Sequence, residues 1–308
     1  MRTTTALALV LAATAGPVSA ADPEACETVR LFDPGWTDIN STNAVTTIIL
    51  EALGYEPEIS TLSVAVGFEG MKAGDIDVFL GNWMPAHTEF RADLEAAKAV
   101  EVLNHNLDGA KFTLAVPSYV GVADFAELDP NAERFGSKIY GIDPGTAGNA
   151  IIQGMIENDD FGLGDWELIE TSEQAMLAQV ERAEESEEAI LFLAWAPHPM
   201  NVAHDITYLA GGDAQFGPDY GGADVFTLAR TGWAAECPNA AQLFRNLTFT
   251  VDIENEIMAL ILDEGESPAD AAETWLEANP DALGPWLEGV TTLDGEPGLD
   301  AVRSALGL

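Results

Sequence analysis

Short apolar or β-branched runs alternate with longer helical patterns along this chain. TVRLF (28–32), EPEISTLSV, DIDVFL, AKFTLAVPS (110–118), KIYGI (138–142), WELIETS and AILFLAW predict strands. Between them, AVTTIILEALGY, FEGMKAGD, NAIIQGMIEND and SEQAMLAQVERAEESE predict helices, the first stopped by Gly54. DPGWTDINS, between the first strand and the first helix, reads as a loop. From roughly residue 239 the pattern is mostly helical, through AAQLFRNL, ENEIMALILDEG, SPADAAETWLEANP and LDAVRSALG. Such alternation predicts α/β architecture. No repeat, low-complexity tract or Pro/Ser linker interrupts it, so the expectation is two lobes joined by strands. With crossovers near Phe112 and again at 215–225, lobe I takes 22–112 and 219–308, and lobe II takes 113–218.

The first twenty residues stand apart. Arg2, the apolar run Ala6 to Ala15 and the small residues Val18-Ser19-Ala20 form a secretory signal peptide cleaved near Ala20. No later run approaches the ~18 apolar residues of a membrane span, so the expected product is a freely diffusing exported protein. Cys26 follows Pro23-Glu24-Ala25, which is not the context of a lipid-anchored cysteine. Cys26 and Cys237 are the two cysteines of the chain. In an oxidising compartment an even count reads as one disulfide, with two unpaired buried thiols as the alternative.

Charge narrows the partners. Twelve Lys and Arg face 52 Asp and Glu, a formal net charge of −40. That balance excludes nucleic acid and anionic membrane surfaces as expected partners, since both are polyanions. Most of the acids read as a solvated surface.

Catalytic signatures do not emerge. There is no GxSxG elbow, GxxxxGK[ST] phosphate loop or GxGxxG dinucleotide turn. His87, His105, His198 and His204 lack metal-ligand spacing and read as surface or outer-layer side chains. The expectation is no enzyme, no metal and no cofactor. An exported hydrolase with His198 or His204 as base, and a structural or adhesion protein, are the competing classes.

The positive signal lies at strand ends, where open α/β sheets bind ligands. Trp36 and Asp38 follow TVRLF, Trp83 follows DVFL, and Trp195 follows ILFL. The turn after KIYGI leads to Asn149 at a helix start. VFLGNWMPAH (78–87) and LFLAWAPHPM (191–200) are near-twins, each with a Pro two residues past its Trp. A single Trp in such a place can simply cap the core, and Trp166, Trp233, Trp275 and Trp286 are read that way. Three Trp at corresponding strand ends point instead to a ligand. Indole faces attract a cation whose charge is spread over an apolar surface, such as a trimethylammonium group. A sugar would also stack on Trp, but these loops offer few partners for its hydroxyls.

At these residues a family resemblance becomes specific. GWTDI, DIDVFLGNWMP, KIYGIDPG..GN, SEQAMLAQVERAE and W.PHPMN resemble the glycine betaine/choline branch of the substrate-binding proteins of bacterial ABC importers, over essentially the whole mature chain. The resemblance implies a type II periplasmic binding protein: two α/β lobes closing on a ligand, delivery to a membrane permease, and a monomer. It also implies a cage of four aromatics, of which Trp36, Trp83 and Trp195 match three. Asp38 and Asn149 match the polar residues that meet the ligand's charged or hydroxyl end. The fourth aromatic is a Tyr in GAKYTLA; this chain has GAKFTLA, so Phe112 keeps the π face and lacks the hydroxyl. Choline is the expected ligand, because an ionised Asp38 repels the carboxylate of betaine and accepts from a hydroxyl. Glycine betaine or another quaternary ammonium or sulfonium compound is the alternative.

Overall fold

Strand β3 is buried at every position of Val78–Met84 except the last, as befits a strand covered on both faces. The computed structural model describes residues 22–308; the expected signal peptide lies outside them. In chain order the elements that frame β3 are β1 (Thr28–Asp33), α1 (Thr37–Ala52), β2 (Glu56–Thr61), α2 (Val64–Ala73) and α3 (Thr88–Ala96). There follow β4 (Val100–Pro117), α4 (Ala132–Phe135), β5 (Lys138–Tyr140), α5 (Ala147–Glu157), β6 (Glu167–Ile169) and α6 (Glu173–Glu185). Strands β7 (Phe192–Ala196), β8 (Ile206–Tyr208) and β9 (Gly222–Arg230) come next, and helices make up most of the remainder.

Among the described residues, nine strands join one mixed sheet in the order β2-β1-β3-β9-β4-β7-β5-β6, with β8 on β4. Parallel pairing prevails at the two ends, β1 with β2 and β3, and β5 with β6 and β7. The middle is antiparallel: β9 pairs with β3 and β4, and β4 pairs with β7. β4 changes partner at Lys111, which lies opposite both Gly222 of β9 and Ala196 of β7. The α/β class expected from the alternation is the class observed.

Three details differ from the sequence expectation. The TDINS segment is helix, not loop: α1 begins at Thr37, and the Thr37, Asp38 and Ser41 side chains are buried. Polar residues in that first turn disguise a largely buried helix. β4 begins at Val100, ten residues before the expected strand, and irregularities in its pairing with β9 blur the alternation there. β9 was not anticipated, although its buried positions Ala223, Val225 and Thr227 follow a period of two.

Two polar clusters tie distant segments together. Asp77, at the entry to β3, accepts from Arg30 Nε at 2.8 Å and from Arg230 Nε at 2.7 Å. Burial opposes the Asp77 charge, but the two guanidiniums outweigh it and hold the carboxyl below its usual range. Cys26 and Cys237 form the expected disulfide, with Cα atoms 5.6 Å apart. Beside it, Asp22 accepts from the Tyr55 hydroxyl at 2.9 Å and from the Asn239 and Ala240 amides, each at 2.8 Å.

Candidate functional site

The carboxyl ends of β1, β3 and β7 converge with the middle of β4 and the start of α5 on a small cavity. Trp36, Asp38, Trp83, Ala86, His87, Phe112, Ile142, Thr146, Ala147, Gly148 and Trp195 line it. Its walls leave about 390 Å³ including the mouth. Trp36, Trp83 and Trp195 are 8 %, 5 % and 4 % exposed, so their faces are turned inward and desolvated.

Each wall has a local cause. Trp36 is the N-cap residue of α1, with extended backbone, which turns its indole out of the helix just as the chain leaves β1. Asp38 sits in the first turn of the same helix. Phe112 and Trp195 are register partners across β4 and β7, so they stand on the same face of the sheet. Trp83 lies near the end of β3, its ring centroid 6.1 Å from that of Phe112. The near-twin segments share backbone geometry as well as sequence, with cis peptides at Met84–Pro85 and Ala196–Pro197. Gly148 permits the opposite wall: a Cβ there would come within 2.7 Å of Phe112 Cζ and 2.6 Å of Leu193 Cδ2.

The polar inventory of the cavity is short and open. Trp83 Nε1 donates to Asp38 Oδ2 at 3.1 Å. Trp36 Nε1, Asp38 Oδ1, His87 Nδ1 and Thr146 Oγ1 are buried without a hydrogen-bond partner among the described residues. A carboxylate oxygen, an indole N–H and a hydroxyl are therefore available to whatever enters. Burial, followed by repulsion from Glu173, pushes the Asp38 carboxyl up to about 7, against the lowering effect of the Ile39 amide and the Trp83 indole. Burial lowers His87 to about 4, so at neutral pH its imidazole is uncharged. Glu254 lies deeper; burial, and then the Asp38 charge, raise its carboxyl well above the usual range.

Five of the six ligand residues expected from the sequence, Trp36, Asp38, Trp83, Phe112 and Trp195, thus stand round one cavity. Asn149 does not line it. Its Oδ1 accepts from the Ile142 amide at 3.0 Å. Its Nδ2 donates to the Ile142 carbonyl at 2.8 Å, the Asp143 carbonyl at 3.1 Å and Glu170 at 3.0 Å. The side chain is spent on holding the 142–143 loop, which contributes Ile142 to the wall.

His87 and Thr146 were missed, and both lie beside residues that were singled out. His87 and His198 are each 1 % exposed, so the surface reading of these two histidines is corrected. The signal was present in the near-twin segments, where each His follows the Trp-X-Pro unit closely. His105, Asp108 and Asp224 bring possible ligand atoms within 4.8 Å of one another, but none of the three lines the cavity and two are exposed.

Comparison with known proteins places this geometry. Residues 27–278 match the substrate-binding domain of the ABC-type glycine betaine transport system. The chain belongs to that family. An ABC-transporter choline-binding protein solved in complex with choline is 51 % identical to this receptor, with a TM-score of 0.91 over 93 % of this chain and 100 % of that one. An ABC-transporter choline-binding protein in an unliganded, semi-closed conformation is also 51 % identical, with a TM-score of 0.85 over 92 % and 100 %. A glycine betaine/carnitine transport binding protein of Listeria monocytogenes is 28 % identical over 164 residues, 53 % of each chain. The family comprises binding components of transporters, and the receptor is not an enzyme. Among the described residues no helix is long and apolar enough to cross a membrane.

Proposed function

We propose that the receptor captures choline between Trp36, Trp83, Phe112 and Trp195, and delivers it to an ABC permease. The observation that carries this reading is the arrangement of three buried indoles and one phenyl ring round a cavity whose one carboxylate, Asp38, has a free oxygen. A trimethylammonium head has no N–H to donate, so aromatic faces serve it better than hydrogen-bond acceptors do. Each desolvated face is worth up to ~2 kcal/mol. Asp38 Oδ1 would then accept the choline hydroxyl, the partner that the cavity otherwise withholds from it. Lobe I, from 22–112 and 219–308, and lobe II, 113–218, close on the ligand, with β4 and β9 as the connections. Asn149 acts by shaping the wall. The receptor works as a periplasmic monomer after loss of residues 1–20.

Glycine betaine is the second reading, and one observation favours it. Trp36 Nε1 and Thr146 Oγ1 are unpartnered donors, and donors suit a carboxylate. Isothermal titration of ligand-stripped receptor with choline, glycine betaine and carnitine decides between the two. Saturation by choline at lower concentration than betaine is the expected result. Saturation by betaine with no heat from choline would transfer the assignment to betaine.

A further inference from the structure

Helix α1 lacks a cap of its own. Its N-cap position is Trp36, and an indole offers no oxygen to the free amides of the first turn. The cap comes from far along the chain. Thr37 N–H donates to Glu173 Oε2 at 3.2 Å, and the Thr37 hydroxyl donates to Glu173 Oε1. Glu173 opens α6, beyond the β7 side of the sheet, whereas α1 belongs to the β1 end. Both residues are buried, at 3 % and 1 % exposure.

His198 completes the arrangement. The Met200 amide donates to His198 Nδ1 at 2.9 Å, so that nitrogen carries the lone pair and Nε2 carries the hydrogen. Nε2 lies 3.3 Å from Glu173 Oε1 and donates to it. Glu173 is therefore held from its own side by His198, with its carboxylate directed at the amino end of α1. That end favours an anion.

We propose that Glu173 is a closing latch: a positioning residue that does not line the cavity but caps α1 across the cleft, and so holds Trp36 and Asp38 in place around a bound ligand. This rests on the reading of the cavity as a ligand site. Physically, the aromatic wall and the helix cap compete for one position. Trp36 occupies the place where a Ser or Asp would cap α1, and the cap is delegated to the opposite half of the molecule. Opening the cleft strips the Thr37 amide of its partner and returns a buried carboxylate to water. A cation in the cavity also relieves the repulsion between Asp38 and Glu173, which couples occupancy to the latch.

The test is ligand release from purified receptor, followed by tryptophan fluorescence in stopped flow with choline and, separately, glycine betaine. Glu173→Gln and Thr37→Val are each expected to speed release about tenfold with association little changed, since the latch acts after the ligand has entered. The double variant is expected to release no faster than Glu173→Gln, because both changes break one contact. Unchanged release, slower association, or effects that simply add would overturn the latch. Thr37→Val keeps the backbone donor and serves if Glu173→Gln folds poorly, as checked by thermal unfolding.

A second measurement needs no ligand. Spin labels on Glu58→Cys and Gln153→Cys report the distance between the β2 and α5 sides. Glu173→Gln is expected to widen that distribution, and an unchanged distribution would overturn the latch. If wild-type receptor binds neither amine, the cavity reading fails, and the label distances still decide on the latch.

Discussion

The Trp83 indole donates to one oxygen of Asp38 at 3.1 Å, and the other oxygen has no partner among the described residues. On the proposed reading this splits the carboxylate between structure and ligand. Because Asp38 is raised to about 7, its charge, and with it the attraction for a cation, changes across physiological pH. Choline affinity is expected to rise from about pH 5 to about pH 7 and to level off above that, while affinity for glycine betaine falls over the same range. Titration calorimetry across that range is the check. A level choline profile in wild type, matching that of Asp38→Asn, would reject the role of Asp38.

The same burial has opposed effects on stability. Between the ordinary aspartate value of 3.8 and about 7, folded Asp38 keeps a proton that the unfolded chain has lost, so stability falls as pH rises. His87, lowered from 6.5 to about 4, acts the other way: between those values the unfolded chain holds the extra proton, and stability rises with pH. The His87 contribution is isolated by difference, since Glu254, also raised by burial, acts in the same sense as Asp38. The stability of ligand-free wild type relative to His87→Gln is expected to rise from pH 4 to 6.5, by at most ~3 kcal/mol. Urea denaturation of both proteins measures it, and a level difference would contradict the burial of His87.

Trp195→Ala removes one desolvated face, and choline binding is expected to weaken about 30-fold, equivalent to ~2 kcal/mol. The uncharged carbon isostere of choline, a dimethylbutanol, separates charge from packing. Its binding should weaken less than that of choline when Trp195 is lost. Equal losses for the two compounds would mean that the indole acts by contact area alone.

Gly148→Ala places a methyl group where Phe112 Cζ and Leu193 Cδ2 already lie within 2.7 Å. The phenyl ring must move into the cavity, so choline affinity is expected to drop at least about tenfold with a loss of stability of ~1–3 kcal/mol. Calorimetry and thermal unfolding read the two effects. Unaltered affinity would show that Phe112 has room that the wall does not suggest.

The Cys26–Cys237 bridge spans 211 positions. Replacing both by Ser is expected to lower the unfolding free energy by roughly 4–5 kcal/mol at the upper end of the loop-entropy account. Neither cysteine lines the cavity, so the choline dissociation constant should stay within about twofold. A large change in affinity would show that the bridge reaches the site through the sheet.

Much of this was legible in residue order because strand-end tryptophans have few bland explanations in combination. Trp36, Trp83 and Trp195 announced themselves by type and position, and Phe112 by a motif. Asn149 stands apart because its place at a helix start says nothing of where its side chain turns; here it bonds the 142–143 backbone and Glu170. Thr37 and Glu173 left no local trace. One reads as an ordinary helix-start residue and the other as one more acid among 52, and only the tertiary arrangement brings them together. β9 escaped for a similar reason, since its alternation is short and its partners lie over a hundred residues away.

β4 exchanges β9 for β7 at Lys111, one residue before Phe112. In a jaw, parts near the pivot travel least, and if the proposed lobes turn about this exchange of partners, Phe112 sits almost on the axle. Rotation that carried Trp36 away from Trp195 would then leave the phenyl ring nearly stationary, a fixed anvil against which the moving walls meet.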